Sequence, residues 1–553
     1  MKTNSIFSAT LALALCCVMV LLSCPTLLAQ DVQNGDPHPD TTTVKKRSGV
    51  AASMSSNSYT ASDHSGASPW PTPTPSDQEF VVDTGSGLDT NCQFRSQGSL
   101  KFTIDVTRVV GSGDVGAVDG DGKLVNPQQM VNNGIVSKTA ILTMPAFDVD
   151  FNTPTSEGQP ERDRILFNGQ SIGNLGSERY LMGENDKWRM NLFQVPIELV
   201  HFARENGLSP IPGHNEIEIL IDQANIANNK ELWCTAIDWA SLKFKALAPV
   251  VMVHGNGESG EFWNRLHFTD PFKSAGIAFD NSISLPTTFL AINSALLLPY
   301  IQVVAIKFGV NHIHLVCHSK GGLDTRGWLK LIPTQNTELG VLSMTTLSTP
   351  HHGSALADYI RDSVGASAYY SENTKRVGAM QLLAGRYDEG RQNLTTDFVA
   401  GFNASNLPLP QYFTVHGQTN NVQYFTFGAD TNLDDSFSFG KPTISYQELA
   451  GTGKDGYWVL SSLGGTLVYR TLYYVSSTYW DWRYVGGERK RIVREVQNAE
   501  VQPNDILVTI TSSKLEPQFL AQPSVKKNHG TVADAEMGQT VLSLIKAAQS
   551  IQW

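Results

Sequence analysis

The sequence predicts a chain of two classes: an all-β sandwich over residues 79–246, then, over 247–553, a mostly parallel sheet with helices on both faces. Three observations carry this. Before residue 246, short runs alternate apolar and polar residues with period two, separated by Gly, Asn and Pro; such runs make half-buried antiparallel strands. After it, continuous apolar runs alternate with longer helical stretches, the pattern of parallel strands buried on both faces. At 553 residues the chain is also long for one core, so two folding units plus a leader are expected.

The first 29 residues read as a signal peptide: Lys2 gives the charged start, Leu11 to Leu22 the apolar run, and small residues end it at Ala29. A single N-terminal membrane anchor is the alternative. Leu21-Leu22-Ser23-Cys24 also has the form of a loose lipobox, which would make Cys24 a lipid-anchored residue, although Leu22 stands where a small residue is usual. The expected location is therefore outside the cell or on its envelope. Residues 30–78 are rich in Ser, Thr, Asp, Gly and Pro and include PWPTPTPSD. They cannot bury enough apolar surface to offset ordering, so a flexible linker is expected.

The sandwich strands are expected in SLKFTIDVTRVV, KTAILTMPAFDVDF, RILFNGQSIG, WRMNLFQVPIELV, NEIEILIDQAN and CTAIDWASLKFKAL. Cys16, Cys17 and Cys24 lie in the leader, leaving Cys92, Cys234 and Cys317. Cys92 and Cys234 either pair, in an oxidising compartment, or stay as free thiols.

In the second half, the strand APVVMVHG comes first, then a helix near 287–306, the strand HIHLVC, a helix from Ser319 and the strand VLSMTTLS. YFTVHG, YFTFGA and DILVTI are expected as later strands, and AEMGQTVLSLIKAAQ as a final amphipathic helix. From about 355 to 500 runs a long insertion dense in aromatic and β-branched residues, either a lid or extra core strands. No run after the leader is expected to span a membrane. A net charge of −11 argues against nucleic acid, whose phosphates demand clustered Lys and Arg, and against docking on anionic lipid by charge alone.

Three motifs carry chemistry. In HLVCHSKGGLDTRGWL, Ser319 sits on the turn between a buried strand and a helix. A sharp strand-turn-helix presents a serine hydroxyl above the sheet edge. The pattern is Gly-x-Ser-x-Gly with Cys317 in place of the first glycine; Gly321 and Gly322 leave room for helix packing. In VVMVHGNGESG, a strand ends in His254-Gly255. The N–H of Asn256 after it and that of Lys320 after the serine are candidates for stabilising an oxyanion, where losing one donor costs ~3 kcal/mol. The third motif, LSTPHHGSALAD, puts Thr349 to Ser354 on a polar turn after a strand.

In this order, and with a late Asn-Asp followed by His, the motifs resemble those of bacterial triacylglycerol lipases and PGAP1-like esterases of the α/β-hydrolase superfamily. The resemblance covers roughly 248–553 apart from the insertion. It implies an α/β-hydrolase fold, a secreted carboxylic ester hydrolase acting on acyl esters or lipids, and a triad in the chain order Ser, Asp, His. The family's acid motif matches at QPNDILV, making Asp505 the acid, with Ile506 where the family has glycine. Asp430 and Asp434 are rivals, since they also follow a strand. His529, the one histidine after Asp505, is the expected base. Neither His351 nor His352 is, because both follow the serine too closely.

This reading implies no cofactor and no metal. Asp430, Asn432 and Asp434 alternate as in a calcium loop, but Asp435 and Lys441 stand where such a loop needs Gly and Glu, so a solvated acidic turn is expected. ERKRIVRE reads as a solvated face, and His312 and His314 as structural. Asn393-Leu394-Thr395 and Asn403-Ala404-Ser405 are glycosylation acceptor patterns. Two further readings stay open. One keeps the triad and makes the chain a polyester depolymerase or an acyltransferase. The other makes it a surface binding protein with a degenerate hydrolase half, which Cys317 and Ile506 favour.

Overall fold

The computed structural model describes residues 68–83, 93–111, 118–151, 160–174, 180–184, 187–223, 234–354, 357, 389–430, 505, 507–515, 517–527 and 529–551, and short backbone strands at 44–45, 58–59, 456–463, 466–485 and 488–502. The signal peptide, Cys24, Cys92, Asn432, Asp434, Ile506 and, within the 355–500 insertion, residues 355–356, 358–388, 431–455, 464–465 and 486–487 lie outside the described residues.

The first half is built from antiparallel strands. One sheet runs Glu79–Asp83, Trp239–Lys243, Thr139–Phe147, Trp188–Pro196, Gly173–Asn174, with Cys234–Ile237 joining Thr139–Phe147 to Gln93–Phe94. A second runs Leu100–Val106, Gly213–Leu220, Arg164–Phe167, Gln170–Ser171. The period-two alternation becomes alternating burial: in Gly213–Leu220, the residues Asn215, Ile217 and Ile219 face inward. Inward residues of both sheets, such as Leu142 and Phe193 from one and Ile104 and Ile217 from the other, belong to one hydrophobic cluster. Part of the expected linker is docked on this half: Ser68 donates its backbone N–H to Asp238 at 2.8 Å, and Trp239 Nε1 donates to the Trp70 carbonyl at 3.2 Å.

The second half holds a parallel sheet. Its strands are β1 (Val250–Val253), β2 (Phe279–Asp280), β3 (His312–His318), β4 (Gly340–Leu347), β5 (Gln423–Phe427) and β6 (Leu520–Ala521). Their spatial order is β2-β1-β3-β4-β5-β6, every pair parallel. Every residue of β1, β3 and β4 is buried, as in a parallel sheet covered on both faces; β1 is an unbroken apolar run, while β3 and β4 also bury polar side chains that bond to one another, such as His314 and Ser343 at 2.8 Å. The longer helices among the described residues are α1 (Leu290–Phe308), α2 (Lys320–Leu329), α3 (Thr396–Asn406) and α4 (Ala535–Ile551).

Three expectations need correction. Residues 507–513 are not a strand: Asp505 Oδ1 accepts the N–H groups of Leu507 (3.0 Å) and Val508 (2.7 Å), bending the chain into a turn and a short helix, Ile510–Ser513. YFTVHG and YFTFGA do hold strands: Tyr412–Val415 pairs in a separate hairpin with Gln418–Asn421, and β5, from within the 355–500 stretch, is a member of the central sheet. Residues 68–78 are ordered against the first half, as above. Finally, α1 is long and apolar enough to cross a membrane by length and composition; it packs Leu297, Ile301, Val304 and Phe308 into the core and leaves Ile292, Tyr300, Val303 and Ile306 exposed.

The two halves share polar anchors as well as apolar core. Arg108, fully buried, donates to the carbonyls of Asp77, Ala246 and Leu247 at 2.8–2.9 Å. Gln549 of α4 accepts from Ala248 N–H (2.8 Å) and donates to Ala246 O (2.9 Å).

Candidate functional site

The site forms at the carboxyl ends of the parallel strands, where open sheets of this kind place ligands. β3 pairs with β1 and β4 up to Cys317 and His318. The next residue, Ser319, still donates its N–H to Leu347 O at 3.0 Å and then turns sharply, at φ 52° and ψ −129°, into α2. A side chain at positive φ is sterically costly and persists only where its surroundings enforce it. Here close packing enforces it. A Cβ on Gly321 would run into the carbonyl of His254, and one on Gly322 into the side chain of Thr349. A Cβ on Gly255 would lie 2.9 Å from Ser319 Cβ and 3.0 Å from His318 Nδ1. The glycines let β1, the elbow and β4 approach to backbone contact.

Ser319 Oγ lies 2.8 Å from His529 Nε2, and His529 Nδ1 lies 2.8 Å from Asp505 Oδ2. All three residues are buried. The carboxylate can only accept, so Nδ1 carries the imidazole proton and Nε2 presents its lone pair to the hydroxyl. The second oxygen of Asp505 is held by the two backbone N–H groups of its own turn, and His529 N–H donates to Asp505 O at 2.9 Å. Acid and base are thus fixed to one another by side chain and backbone. The carboxylate on His529 is that of Asp505 rather than of Asp430, whose N–H is paired with Val525 O.

The His-Gly turn is built by a second imidazole. Leu285 N–H donates to His254 Nε2 at 2.9 Å, so the proton sits on Nδ1 and donates to Gly255 O at 2.7 Å. Burial holds this ring neutral by pushing its pKa down. In a trans peptide the C=O and the following N–H point in opposite directions, so the Asn256 N–H faces away from His254. Among the described residues, neither that N–H nor the one of Lys320 donates to a protein acceptor.

His318 was not singled out by sequence reasoning, although it lies inside the serine motif. Its Nε2–H donates to the His529 carbonyl at 3.0 Å, and its ring stacks on Phe262 at 4.3 Å. It therefore anchors the base from the nucleophile's own strand. The Thr349 to Ser354 turn also acquires a role. His352 N–H donates to Ser512 O, Ser512 Oγ to Gly353 O, and Ser354 Oγ to Leu507 O, so this turn carries the acid loop. His351 faces Arg326 and Thr346 instead.

Other expected features sit elsewhere. His314 bonds to Ser343 (2.8 Å) and Gln549 (3.1 Å), and His312 to Asn311 and Asn420. Asn393 is buried and accepts from Leu290 N–H, while Asn403 spans Arg326 and the His351 carbonyl; neither amide is free to receive a glycan. Cys317 is buried as a free thiol, its Sγ 3.4 Å from Thr325 Oγ1 on α2. Among the described residues no group of three His, Cys, Asp or Glu side chains is placed to hold a metal ion.

No family model matches the sequence. Over 104 residues it is 36% identical to triacylglycerol lipase 2 of Saccharomyces cerevisiae, an alignment covering 18% of this chain and 28% of that one. Over 126 residues it is 29% identical to a triacylglycerol lipase of Pseudarthrobacter phenanthrenivorans, covering 21% and 36%. Over these stretches the chain is similar to triacylglycerol lipases. It spans about a third of the length of the curated relatives it matches. The chain overlaps the crystal structure of the Bacillus licheniformis lipase BlEst2 in mature form with a TM-score of 0.34 at 18% identity, over 54% of this chain and 92% of that one.

Proposed function

We propose that this chain is a secreted or envelope-anchored serine hydrolase that cleaves carboxylic esters of lipids, with Ser319 as nucleophile, His529 as base and Asp505 as acid. The observation that carries the reading is the hydrogen-bonded chain Asp505–His529–Ser319, with 2.8 Å at each link, on a serine held at positive φ. His529 takes the serine proton as Oγ attacks the ester carbonyl. The N–H groups of Asn256 and Lys320 receive the developing oxyanion. His529 then protonates the leaving alcohol, and water, activated by the same imidazole, releases the acid from the acyl-enzyme. Asp505 fixes the tautomer and stabilises the imidazolium. A lipid acyl ester as substrate is supported by the names of the curated relatives and by the aromatic-rich 355–500 stretch.

The two antiparallel sheets with a common core support an accessory β-sandwich ahead of the hydrolase part. The leader supports export, with Cys24 as the point of attachment if the protein is lipid-anchored. The discriminating experiment uses a fluorophosphonate probe on the purified chain, with p-nitrophenyl esters of increasing acyl length. Labelling and turnover by the wild type and neither by Ser319→Ala is the expected result. A wild type that is folded but takes no label would leave the triad without support and favour the binding-protein reading.

A further inference from the structure

The geometry points to Asp324 and Asn293 as positioning residues for the Lys320 N–H, acting through the buried side chain of Lys320. This rests on the reading of Ser319 as the nucleophile and of Lys320 N–H as an oxyanion donor. Lys320 opens α2 directly after the elbow, where the serine makes no side-chain cap to hold the first turn. Its side chain does not run to solvent. It is 1% exposed, and Nζ lies 2.6 Å from Asp324 Oδ1, one turn along the same helix.

The other oxygen, Asp324 Oδ2, accepts from Asn293 Nδ2 of α1 at 2.9 Å. The same amide nitrogen donates to Pro286 O at 3.2 Å, and Asn293 Oδ1 is buried without a partner. Ser294 Oγ adds a bond to the Asp324 carbonyl at 2.8 Å. One residue before Pro286, Leu285 N–H holds His254, which in turn holds the Gly255 carbonyl. A continuous path of hydrogen bonds and short backbone therefore leads from Lys320 through Asp324, Asn293, Pro286, Leu285 and His254 to the Gly255–Asn256 peptide. It joins the two oxyanion donors from behind, on the side away from the substrate.

Energetics favour a positioning role over a stabilising one. Two charges removed from water gain little against a pair of apolar residues of the same volume. What the pair supplies is direction: the ammonium is confined to one oxygen and the carboxylate to one amide. A displacement of about 1 Å in a catalytic group can cost about a hundredfold in rate.

The test compares the wild type with Asn293→Leu, which cuts the path without stranding a charge, and with the double variant Lys320→Met/Asp324→Leu, which removes the pair as a neutral unit. Active sites are counted by fluorophosphonate titration. Then kcat and KM for p-nitrophenyl butyrate are measured per labelled site, together with inhibition by a trifluoromethyl ketone, which mimics the tetrahedral adduct. The expected result is a kcat lower by about ten- to a hundredfold, KM within about twofold, and ketone affinity weakened in proportion to kcat/KM. Fewer labelled sites with unchanged kcat per site and unchanged ketone affinity would overturn the inference and leave these residues merely structural. A wild type that neither labels nor turns over the ester overturns the Ser319 reading itself, and this inference with it.

Discussion

Four buried histidines of the parallel-sheet half and two buried carboxyls of the antiparallel half meet burial in opposite ways. His254, His314, His318 and His351 are all buried, and burial pushes each of them down, His314 to about 4. On the other side, Glu161 and Asp163 are fully buried next to one another. Burial, and for Glu161 the neighbouring Asp163 charge, pushes Glu161 well up, and burial raises Asp163 to about 6. Low dielectric selects the neutral form in both halves. Because one kind of group is neutral when deprotonated and the other when protonated, these four histidines and these two carboxyls respond to pH with opposite sign. The exception is Asp505, which is as buried as Glu161 but accepts two N–H groups and an imidazole. That set of donors distinguishes Asp505 from Glu161 and Asp163.

The largest effect should come from breaking that exception. Asp505→Asn keeps the shape but offers the imidazole an amide that no longer selects its tautomer. We expect kcat to fall by about 10⁴-fold, with KM and melting temperature little changed. Steady-state kinetics with an active-site titration checks it; a loss below tenfold would move the acid's role elsewhere. Glu161→Gln, a change of the same kind in the other half, should leave kcat within about twofold.

The second prediction concerns acid. The histidines with depressed folded values favour the folded state fully above the unfolded value of about 6.5. That stabilisation is lost as pH falls from there towards about 4 for His314, because the unfolded chain takes up protons the fold refuses. Hydrogen exchange read peptide by peptide should show protection of β3 and the His254 turn falling over this window. The segment around Glu161 and Asp163 should gain protection over pH 6 to 4, since raised carboxyls contribute stability below their unfolded values and lose it as pH rises through the folded ones. Exchange in both segments moving in the same direction would refute the comparison.

Third and smaller, Glu161→Gln should stabilise the protein at pH 8. The unfolded glutamate is ionised there and burial opposes carrying that charge into the fold, whereas glutamine keeps an acceptor for Asp150 N–H, now bonded at 2.8 Å, and can donate towards Asp163. Each kcal/mol relieved raises the melting temperature by about 2–4 °C in a unit of this size, and the gain should vanish near pH 4. A uniform gain at both pH values would point to packing instead.

How much of this was legible follows from where each signal resides. A strand buried on both faces announces itself as an apolar run in β1, VVMV, while β3 and β4 were readable from the β-branched and apolar residues of HIHLVC and VLSMTTL despite their buried His, Ser and Thr. The Ser319 turn was readable because its glycines are demanded by backbone contact, which leaves a local pattern. The geometry of Asp505 and His529 was reached only through motif order, since their contact spans 24 residues of chain. DILVTI misled because apolar content outweighed the Asx-type turn that Asp505 imposes. His318, Asp324 and Asn293 went unread: their roles exist only once α1, α2 and β1 are packed together. The opposite sign of these histidines and carboxyls was equally hidden, because a carboxyl's burial depends on which loops meet.

The smallest effect is expected at Cys317, which stands where the motif has glycine. The strand pairing is normal there: Cys317 opposes Val253 on one side and Thr346 on the other, and the positive φ falls at Ser319, two residues later. Glycine's conformational freedom is therefore not needed at 317. What is needed is a small side chain beneath α2, and the thiol meets that by lying against Thr325. Burial pushes it up to about 12, so it stays a neutral thiol and is no rival nucleophile to Ser319. Cys317→Ala should keep kcat and KM within about twofold and cost on the order of 1 kcal/mol for the emptied volume. The folded wild type should resist a maleimide reagent that reacts once urea is added. Inactivation of the folded protein by maleimide, absent in Cys317→Ala, would mean that α2 opens at the elbow, and the rigid turn inferred for Ser319 would have to be given up.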